Sequence, residues 1–371
     1  MFSSTEENDA VHFGEALEAL RPLEPIVQSE DDRLVAVVTG CSTGIGLQLA
    51  AMLAGSGLFR TLATLRRLGG EEEQRLRDLA AQYARLAEKR GGRGGTADSL
   101  QVVQVDVTDE SSVWRLREAL PQQRIDVLVN NAGFGVSGNV EQVTVAEAQR
   151  LFDTNFFGVM RTVHALAPLL RAQARRQRDR DLHCAILQIC STAGVRAVPF
   201  SDLYSASKFA LAGLTESMRY YLHPFGVRCV CVDPGPVRTA FVGRFGNQAR
   251  DRGSRTIEDD QPQYDGEMER LHSAFVRYLH ERMGSAEDGQ SSAQVAAAVV
   301  RALVQGVSAP NDQPPPLHYG TSPRVDAALQ ALRVDPAGWS SPPYRSFWEA
   351  VQHARQAELE AQRTGGVVDR V

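Results

Sequence analysis

Hydrophobic residues form short runs, separated by longer segments in which apolar positions recur at helical spacing. The runs lack the alternation of apolar and polar positions that marks a half-exposed strand. Strands buried on both faces of a parallel sheet have this composition. The predicted strands are Leu34–Thr39, Thr61–Leu65, Leu100–Val105, Val127–Val129, Ala185–Cys190 and Arg228–Val232.

Helical segments fill the intervals between these strands. Parallel neighbours need such a crossover, because a tight turn would leave the second strand antiparallel. The predicted helices are Ile45–Ala54, Glu71–Lys89, Ser111–Leu120, Ala146–Arg171 and Tyr204–His223. The alternation predicts an α/β fold, a doubly wound parallel sheet of the Rossmann type in a single domain.

Three segments are set apart by their pattern. Residues 1–32 form an N-terminal extension, and the sequence is compatible with either a disordered or an ordered structure there. Residues 33–320 hold the α/β domain, and within it the polar stretch 243–289 is typical of a lid over a substrate cleft. Residues 321–371 form a C-terminal tail.

Composition excludes several classes of protein. A formal charge of −5 with 43% hydrophobic residues is ordinary for a soluble globular protein and gives no sign of nucleic-acid binding. No uncharged apolar run reaches about 18 residues, so we expect no spanning helix, while peripheral membrane contact stays open. The acidic N-terminal segment lacks the order of a secretion signal, which favours the cytoplasm. The five scattered cysteines favour core packing over a disulfide framework or a metal site.

A glycine-rich turn follows the first predicted strand. From Thr39 the glycines Gly40, Gly44 and Gly46 stand in the order T-G-x-x-x-G-x-G, and a helix starts at this turn. Glycine lets the backbone approach a pyrophosphate, and the N-terminal N–H groups of the helix favour its negative charge. The turn predicts a dinucleotide site, although similar loops also close strand-to-helix turns that bind nothing.

The end of the second strand indicates which dinucleotide is bound. An acidic residue that would hold a ribose 2′-hydroxyl is absent there, and Arg66 and Arg67 follow Leu65. Arginine suits a 2′-phosphate, and Ser42 in the glycine turn could add a hydrogen bond. We expect NADP(H), with the alternative that both arginines only solvate a loop.

Tyr204 and Lys208 lie four residues apart, one turn apart on the same face of a predicted helix. A nearby ammonium, joined by the positive charge of a bound nicotinamide, favours the phenolate and lowers the pKa of the tyrosine, which suits Tyr204 to proton transfer. Ser191 follows the fifth strand, where its hydroxyl would hold a substrate oxygen. The apolar stretch between Ser191 and Tyr204, which includes Val198, predicts an apolar cleft.

Two further motifs complete a pattern: N-N-A-G at 130–133 and D-P-G-P-V at 233–237. All five motifs, in this order over residues 34–242, resemble those of the short-chain dehydrogenase/reductase family. Longer strings, such as F-D-T-N-F-F-G at 152–158, are similar to its steroid and retinol dehydrogenase branch. The resemblance implies that Asn155 joins Ser191, Tyr204 and Lys208 by locally opening its helix and anchoring a proton relay to Lys208.

Residue types and the resemblance together assign the ligand contacts. The cofactor contacts are Gly40, Ser42, Thr43, Gly44, Ile45, Gly46, Arg66, Asp106, Val107, Asn131, Ala132, Gly133, Tyr204, Lys208, Pro234, Gly235, Val237 and Thr239. By resemblance Asp106 and Val107 adjoin the adenine, residues 131–133 the ribose, and residues 234–239 the nicotinamide. The substrate contacts are Ser191, Val198, Tyr204 and, by its register in the lid, His280.

We therefore expect an oxidoreductase that transfers a hydride between NADP(H) and a carbonyl or alcohol of an apolar substrate, a steroid or retinoid first. A carbonyl or polyketide-type reductase of secondary metabolism is the alternative enzyme. A sensor or scaffold that binds NADP(H) without turnover is the alternative from another class. The complete set of four catalytic residues favours an enzyme, and the resemblance also implies a homodimer.

Overall fold

The computed structural model describes residues 4–180, 182–238, 271, 272, 274, 275, 277, 289–310 and 315–334. Within these residues seven parallel strands form one sheet in the order β3-β2-β1-β4-β5-β6-β7. Their bounds are β1 Leu34–Val38, β2 Phe59–Leu65, β3 Leu100–Gln104, β4 Val127–Asn130, β5 Cys184–Ile189, β6 Val227–Asp233 and β7 His318–Gly320. The strand order reverses between β1 and β4, which opens a crevice at their carboxyl ends.

Helices cover both faces of the sheet. Their bounds are α1 Ser4–Leu20, α2 Gly44–Gly55, α3 Glu71–Lys89, α4 Glu110–Glu118, α5 Val145–Phe152, α6 Gly158–Arg176, α7 Asp202–Leu222, α8 Ser292–Ser308 and α9 Pro323–Val334. Leu34, Ala36 and Val38 of β1 pack into one hydrophobic layer, and Val35 and Val37 pack into the other. Successive residues of β1 thus enter two different buried layers, one on each face of the sheet, and the predicted doubly wound fold is confirmed.

Two elements differ from the prediction. The long helix predicted over 146–171 is α5 and α6, joined by a π-helical turn at Asp153–Phe157. Pro168 lies inside α6, which continues to Arg176. The seventh strand, β7, was not predicted, because three residues carry too little hydrophobic pattern to mark a strand. Among the described helices none is long and apolar enough to cross a membrane.

The N-terminal extension is ordered from Ser4 onward, so of the two outcomes left open, disorder is wrong there. Phe13 and four other apolar residues of the segment are fully buried in the main core: Ala16, Leu20, Leu23 and Val27. The Phe13 ring stacks on Tyr83 of α3 at 4.3 Å between centroids. Tyr83 donates to Gln48 of α2 at 2.6 Å, and Gln48 donates to Asp9 of α1 at 2.8 Å. The extension therefore belongs to the α/β domain.

Removing the Phe13 ring tests this packing. Phe13→Ala is expected to lower the free energy of unfolding by about 3 to 5 kcal/mol, since it empties a fully buried aromatic site. Denaturant titration followed by circular dichroism measures the change. Val11→Ala on the same helix is the control, because Val11 is 55% exposed and its truncation should change little. Equal stability of Phe13→Ala and the wild type would contradict the docking of α1.

Candidate active site

The glycine turn is shaped by two positive-φ positions and one close backbone approach. Gly40 has φ +72° and Gly44 has φ +64°, a region that suits glycine. A Cβ on Gly46 would lie 2.3 Å from Nδ2 of Asn131 and 2.5 Å from the Gly40 carbonyl oxygen. These glycines keep the turn short, so that α2 begins at Gly44 with its first N–H groups free of intrahelical partners.

The turn after β4 is tied to the glycine turn. Asn131 donates through Nδ2 to the carbonyl oxygens of Thr39 and Gly40, both at 2.9 Å. The Thr39 hydroxyl accepts from the backbone N–H groups of Asn131 and Ala132, both at 3.0 Å. These bonds hold the turns after β1 and β4 together across the crevice, where the predicted pyrophosphate and ribose contacts meet.

A polar cavity of about 330 Å³ lies between the glycine turn and the start of α3, lined by Ser42, Thr43, Glu71, Glu72 and Arg75. Arg66 and Arg67, at the end of β2, are exposed. Ion pairs involving either are absent from the described part of the chain. The cavity joins the hydroxyls of Ser42 and Thr43 and the Arg75 guanidinium to two carboxylates, Glu71 and Glu72, at the start of α3.

Ser191 and Tyr204 meet at the carboxyl end of β5. The Ser191 hydroxyl is hydrogen-bonded to the Tyr204 phenol and also accepts from the N–H of Ala193 at 3.1 Å. Ser191 lies just beyond β5, and Tyr204 lies in the first turn of α7. The predicted pair is therefore brought together, with both oxygens within reach of one substrate atom.

Burial changes the acidity of the Tyr204 phenol. It raises the pKa of Tyr204 to about 12, and the hydrogen bond with Ser191 opposes part of this shift. Tyr204 is therefore a protonated phenol at neutral pH, the form that an acid catalyst needs. The lowering of this pKa by Lys208 together with a bound nicotinamide stays a prediction.

Lys208 lies under the tyrosine ring. Its Nζ donates to the carbonyl oxygen of Ile189 at 2.8 Å and lies 5.8 Å from the centroid of the Tyr204 ring. Only 6% of the Lys208 side chain is exposed. Burial lowers the pKa of this lysine, so its charged form depends on acidic and polar neighbours.

Asn155 lies in the π-helical turn, which matches the local opening of its helix that the resemblance implies. Its Oδ1 accepts from Phe134 N–H at 3.0 Å, and its Nδ2 donates to the Phe134 carbonyl at 2.9 Å and to the Ser207 hydroxyl at 3.2 Å. A Cβ on Gly133 would lie 3.1 Å from Asn155 Oδ1 and 3.8 Å from Lys208 Nζ. Glycine at 133 therefore leaves open the space that these two side chains share.

The remaining predicted contacts border the same crevice. Asp106 and Val107 follow β3, and the Asp106 carboxylate accepts from the N–H and hydroxyl of Thr108 at 2.9 and 2.7 Å. Pro234 and Gly235 follow β6, where the Pro234 carbonyl accepts from Thr192 at 3.0 Å. Val237 pairs with Gln290 ahead of α8. Thr239 and His280 lie outside the described residues.

Four residues form an aromatic and polar cluster that was not fully predicted: Ser137, Phe200, His272 and Phe275. The Phe200 ring stacks on His272 at 4.8 Å between centroids and lies tilted against Phe275 at 5.7 Å. Ser137 and Nε2 of His272 are hydrogen-bonded at 3.0 Å. Phe200 has φ +54°, a strained value for a bulky residue.

The cluster lies beside the reacting pair. Phe200 precedes Tyr204 by four residues, and its carbonyl accepts from Gly138 at 2.7 Å. The apolar stretch predicted between Ser191 and Tyr204 includes Phe200, whereas the histidine predicted to contact the substrate, His280, lies outside the described residues. His272 was not predicted, because only its packing against Ser137 and Phe200 marks it.

The residues present fit a nicotinamide dinucleotide. Gly40 and Gly46 let the turns after β1 and β4 pack closely, since a Cβ on Gly40 would lie 2.8 Å from Ala132 Cα. The polar cavity adjoins the glycine turn at Ser42 and Thr43. Lys208 and Tyr204 lie at the far end of the same row of strand ends. This order is the one that an extended dinucleotide requires.

This chain is similar to known proteins of one family. The family description "short chain dehydrogenase" matches residues 34–250. The 17-beta-hydroxysteroid dehydrogenase type 1 of Homo sapiens is 34% identical over 308 residues, 82% of this chain and 83% of that protein. Retinol dehydrogenase 8 of Bos taurus is 32% identical over 304 residues, 81% of this chain and 86% of that protein.

A solved structure shows the same fold. A short chain dehydrogenase/reductase from Burkholderia phymatum, in complex with NAD, superposes with a TM-score of 0.57 at 22% identity. The alignment covers 85% of this chain and 98% of that chain. The agreement extends the similarity from the sequence to the arrangement of the sheet and its helices.

Proposed function

Because this chain belongs to the short-chain dehydrogenase family, we propose that it transfers a hydride between NADP(H) and a carbonyl or alcohol of an apolar substrate, a steroid or retinoid first. The chain is an oxidoreductase of a family that uses NAD(P)(H). The observation that carries the proposal is the hydrogen-bonded Ser191–Tyr204 pair above the buried Lys208.

In our proposal each of these side chains has one role in reduction. When bound, the nicotinamide supplies the hydride that reaches the carbonyl carbon. The Ser191 hydroxyl holds the carbonyl oxygen, and Tyr204 donates its phenolic proton to that oxygen. Lys208 holds the ribose and stabilises the phenolate that the donation leaves, while Asn155 anchors the relay that returns a proton.

Three observations support an apolar substrate. Val198 and Phe200 lie between Ser191 and Tyr204, and Phe275 packs on Phe200. The hydrogen-bonded Ser137 and His272 add one polar position to this wall, suited to a hydroxyl or carbonyl at the far end of the substrate. The two relatives named above are dehydrogenases of steroids and of retinol by name.

We also propose that the chain is a homodimer. Phe157, Met160 and Phe209, at the adjoining ends of the π-helical turn, α6 and α7, are each more than 40% exposed. Large apolar side chains exposed together on neighbouring helices favour association. A sedimentation mass of a single chain would contradict the dimer.

Replacing the proposed acid tests the assignment. Tyr204→Phe is expected to lower kcat by roughly 10² to 10⁴, since the proton donor is lost, while the dissociation constant for NADPH changes little. The assay follows NADPH oxidation with estrone, all-trans-retinal and a small aromatic ketone, with NADH in parallel.

Tyr221→Phe on the same helix is the control, because Tyr221 is 54% exposed. Turnover retained by Tyr204→Phe would exclude it as the acid. Turnover of the small ketone alone would favour a general carbonyl reductase, and NADPH binding with no turnover of any substrate would favour the sensor.

A second substitution tests the choice of NADP(H). Arg66→Ala is expected to raise KM for NADPH roughly tenfold to a hundredfold and to leave KM for NADH unchanged, since a charge-assisted contact with the 2′-phosphate is lost. Arg85→Ala, an exposed arginine of α3, is the control. An equal effect of Arg66→Ala on both cofactors, or none on either, would contradict NADP(H) selectivity by Arg66.

A further inference from the structure

A carboxylate is buried at the end of β6, next to the catalytic lysine. Asp233 is 0% exposed, and its Oδ2 lies 2.8 Å from Nδ1 of His318. His318 opens β7, which pairs with β6 so that Cys231 faces His318 and Asp233 faces Gly320. The second oxygen, Oδ1, has no hydrogen-bond partner among the described residues. A carboxylate removed from water in this way needs a compensating cation.

The sheet register brings Asp233 to the ammonium of Lys208. In the pairing of β5 with β6, Ile189 faces Val232, and Asp233 is the next residue. Lys208 Nζ is held on the carbonyl oxygen of that same Ile189 at 2.8 Å. The carboxylate and the ammonium therefore both lie at the carboxyl edge of the sheet, where β5 and β6 end side by side.

The two charges act on each other. Burial lowers the pKa of Lys208, and Cys190, Asp233 and Cys231 oppose that shift. Burial raises the pKa of Asp233, and that rise is opposed, in decreasing order, by the hydrogen bond and charge of His318, a hydrogen bond from the Ser191 N–H and the charge of Lys208. The hydrogen bond with Cys231, together with burial, raises the pKa of the Cys190 thiol well above its usual range. Cys190 is thus a neutral thiol, and Asp233 is the group that supplies negative charge.

We propose that Asp233 and His318 are positioning residues for catalysis: Asp233 is the buried counter-charge that keeps Lys208 an ammonium, and His318 keeps Asp233 ionised. This inference rests on the proposed function, since it assigns the two residues to the proton chemistry of Tyr204 and Lys208. His318 on β7 thus stabilises the charge of Asp233 on β6, and Asp233 stabilises the charge of Lys208 on α7.

Titratable groups face this pair from each packed element. Lys208 faces it from α7, Cys190 from β5 and Cys231 from within β6. On the β7 side, Asp326 of α9 accepts from the Gly320 N–H at 3.0 Å, which uses one of its oxygens. Tyr319 interacts with Arg301 of α8. Within the described residues His318 is the imidazole that contacts Asp233.

The direction of the pH effect follows from these charges. Activity in reduction falls at high pH as Lys208 loses its proton. Asp233→Asn removes the negative charge and keeps the shape of the side chain, so the pKa of Lys208 falls further. The alkaline limb of the pH–activity profile then moves to lower pH. His318→Gln removes a group that stabilises the negative charge of Asp233, so Asp233 takes up a proton at higher pH. The acidic limb of the pH–activity profile then moves to higher pH.

The experiment compares pH profiles of kcat/KM for NADPH-dependent reduction by the full chain and its variants. We expect Asp233→Asn to lower the alkaline midpoint by about one pH unit or more, and His318→Gln to raise the acidic midpoint. His318→Lys restores a cation at that position and should return the acidic midpoint toward the wild type. His164→Gln is the matched control, because His164 is exposed on α6.

A second readout separates this proposal from the proposed function. The dissociation constant for NADPH is measured by fluorescence over the same pH range. Binding should weaken as the pH rises, since Lys208 holds the ribose, and this weakening should begin at a lower pH in Asp233→Asn than in the wild type. If the wild type reduces no carbonyl, the proposed function fails, and the binding profile still tests the counter-charge. Midpoints unchanged from the wild type in both variants, with only a uniform loss of rate or stability, would overturn the proposal.

Discussion

The parallel direction of all seven strands places every strand end at one edge of the sheet, and the site depends on this constraint. The glycine turn follows β1, Arg66 follows β2, Asn131 follows β4 and Ser191 follows β5. These residues are far apart in the chain. No local turn could gather them, but a parallel sheet does so because neighbouring strands end side by side.

The same edge holds two groups whose burial is unfavourable for their charged forms. The pKa of Tyr204 is raised to about 12, and burial lowers the pKa of Lys208. A neighbour opposes part of each shift: the Ser191 hydroxyl for the phenol, and the Asp233 carboxylate among others for the ammonium. In our proposal, a neutral acid next to a cation is the arrangement that proton donation to a carbonyl requires.

Much of the site was predictable because the chemistry depends on local patterns. Tyr204 and Lys208 share a helix face by spacing alone, and the glycines after β1 and Asn155 belong to short motifs whose placement the structure retains. Contacts between distant segments were not predictable. The Asp233–His318 pair needs β7, a strand of three residues, and the aromatic and polar cluster needs His272 to pack on Phe200.

The packing of the N-terminal extension is another contact between distant segments that the sequence did not predict. Phe13 has no partner in its own segment, and only the folded core supplies Tyr83 beneath it. Its apolar positions were too few to distinguish a docked helix from a solvated one, since burial depends on the surface that α3 and α8 present.

Hydride transfer at the Ser191–Tyr204 pair is most directly tested with deuterium. NADPH that carries two deuterium atoms at C4 of the nicotinamide is incubated with the full chain and a bulky apolar ketone, and the product alcohol is analysed by mass spectrometry. Our account predicts one deuterium on the carbinol carbon, with transfer lost in Tyr204→Phe. An alcohol product without deuterium at that carbon, or no alcohol from any carbonyl despite tight NADPH binding, would contradict it.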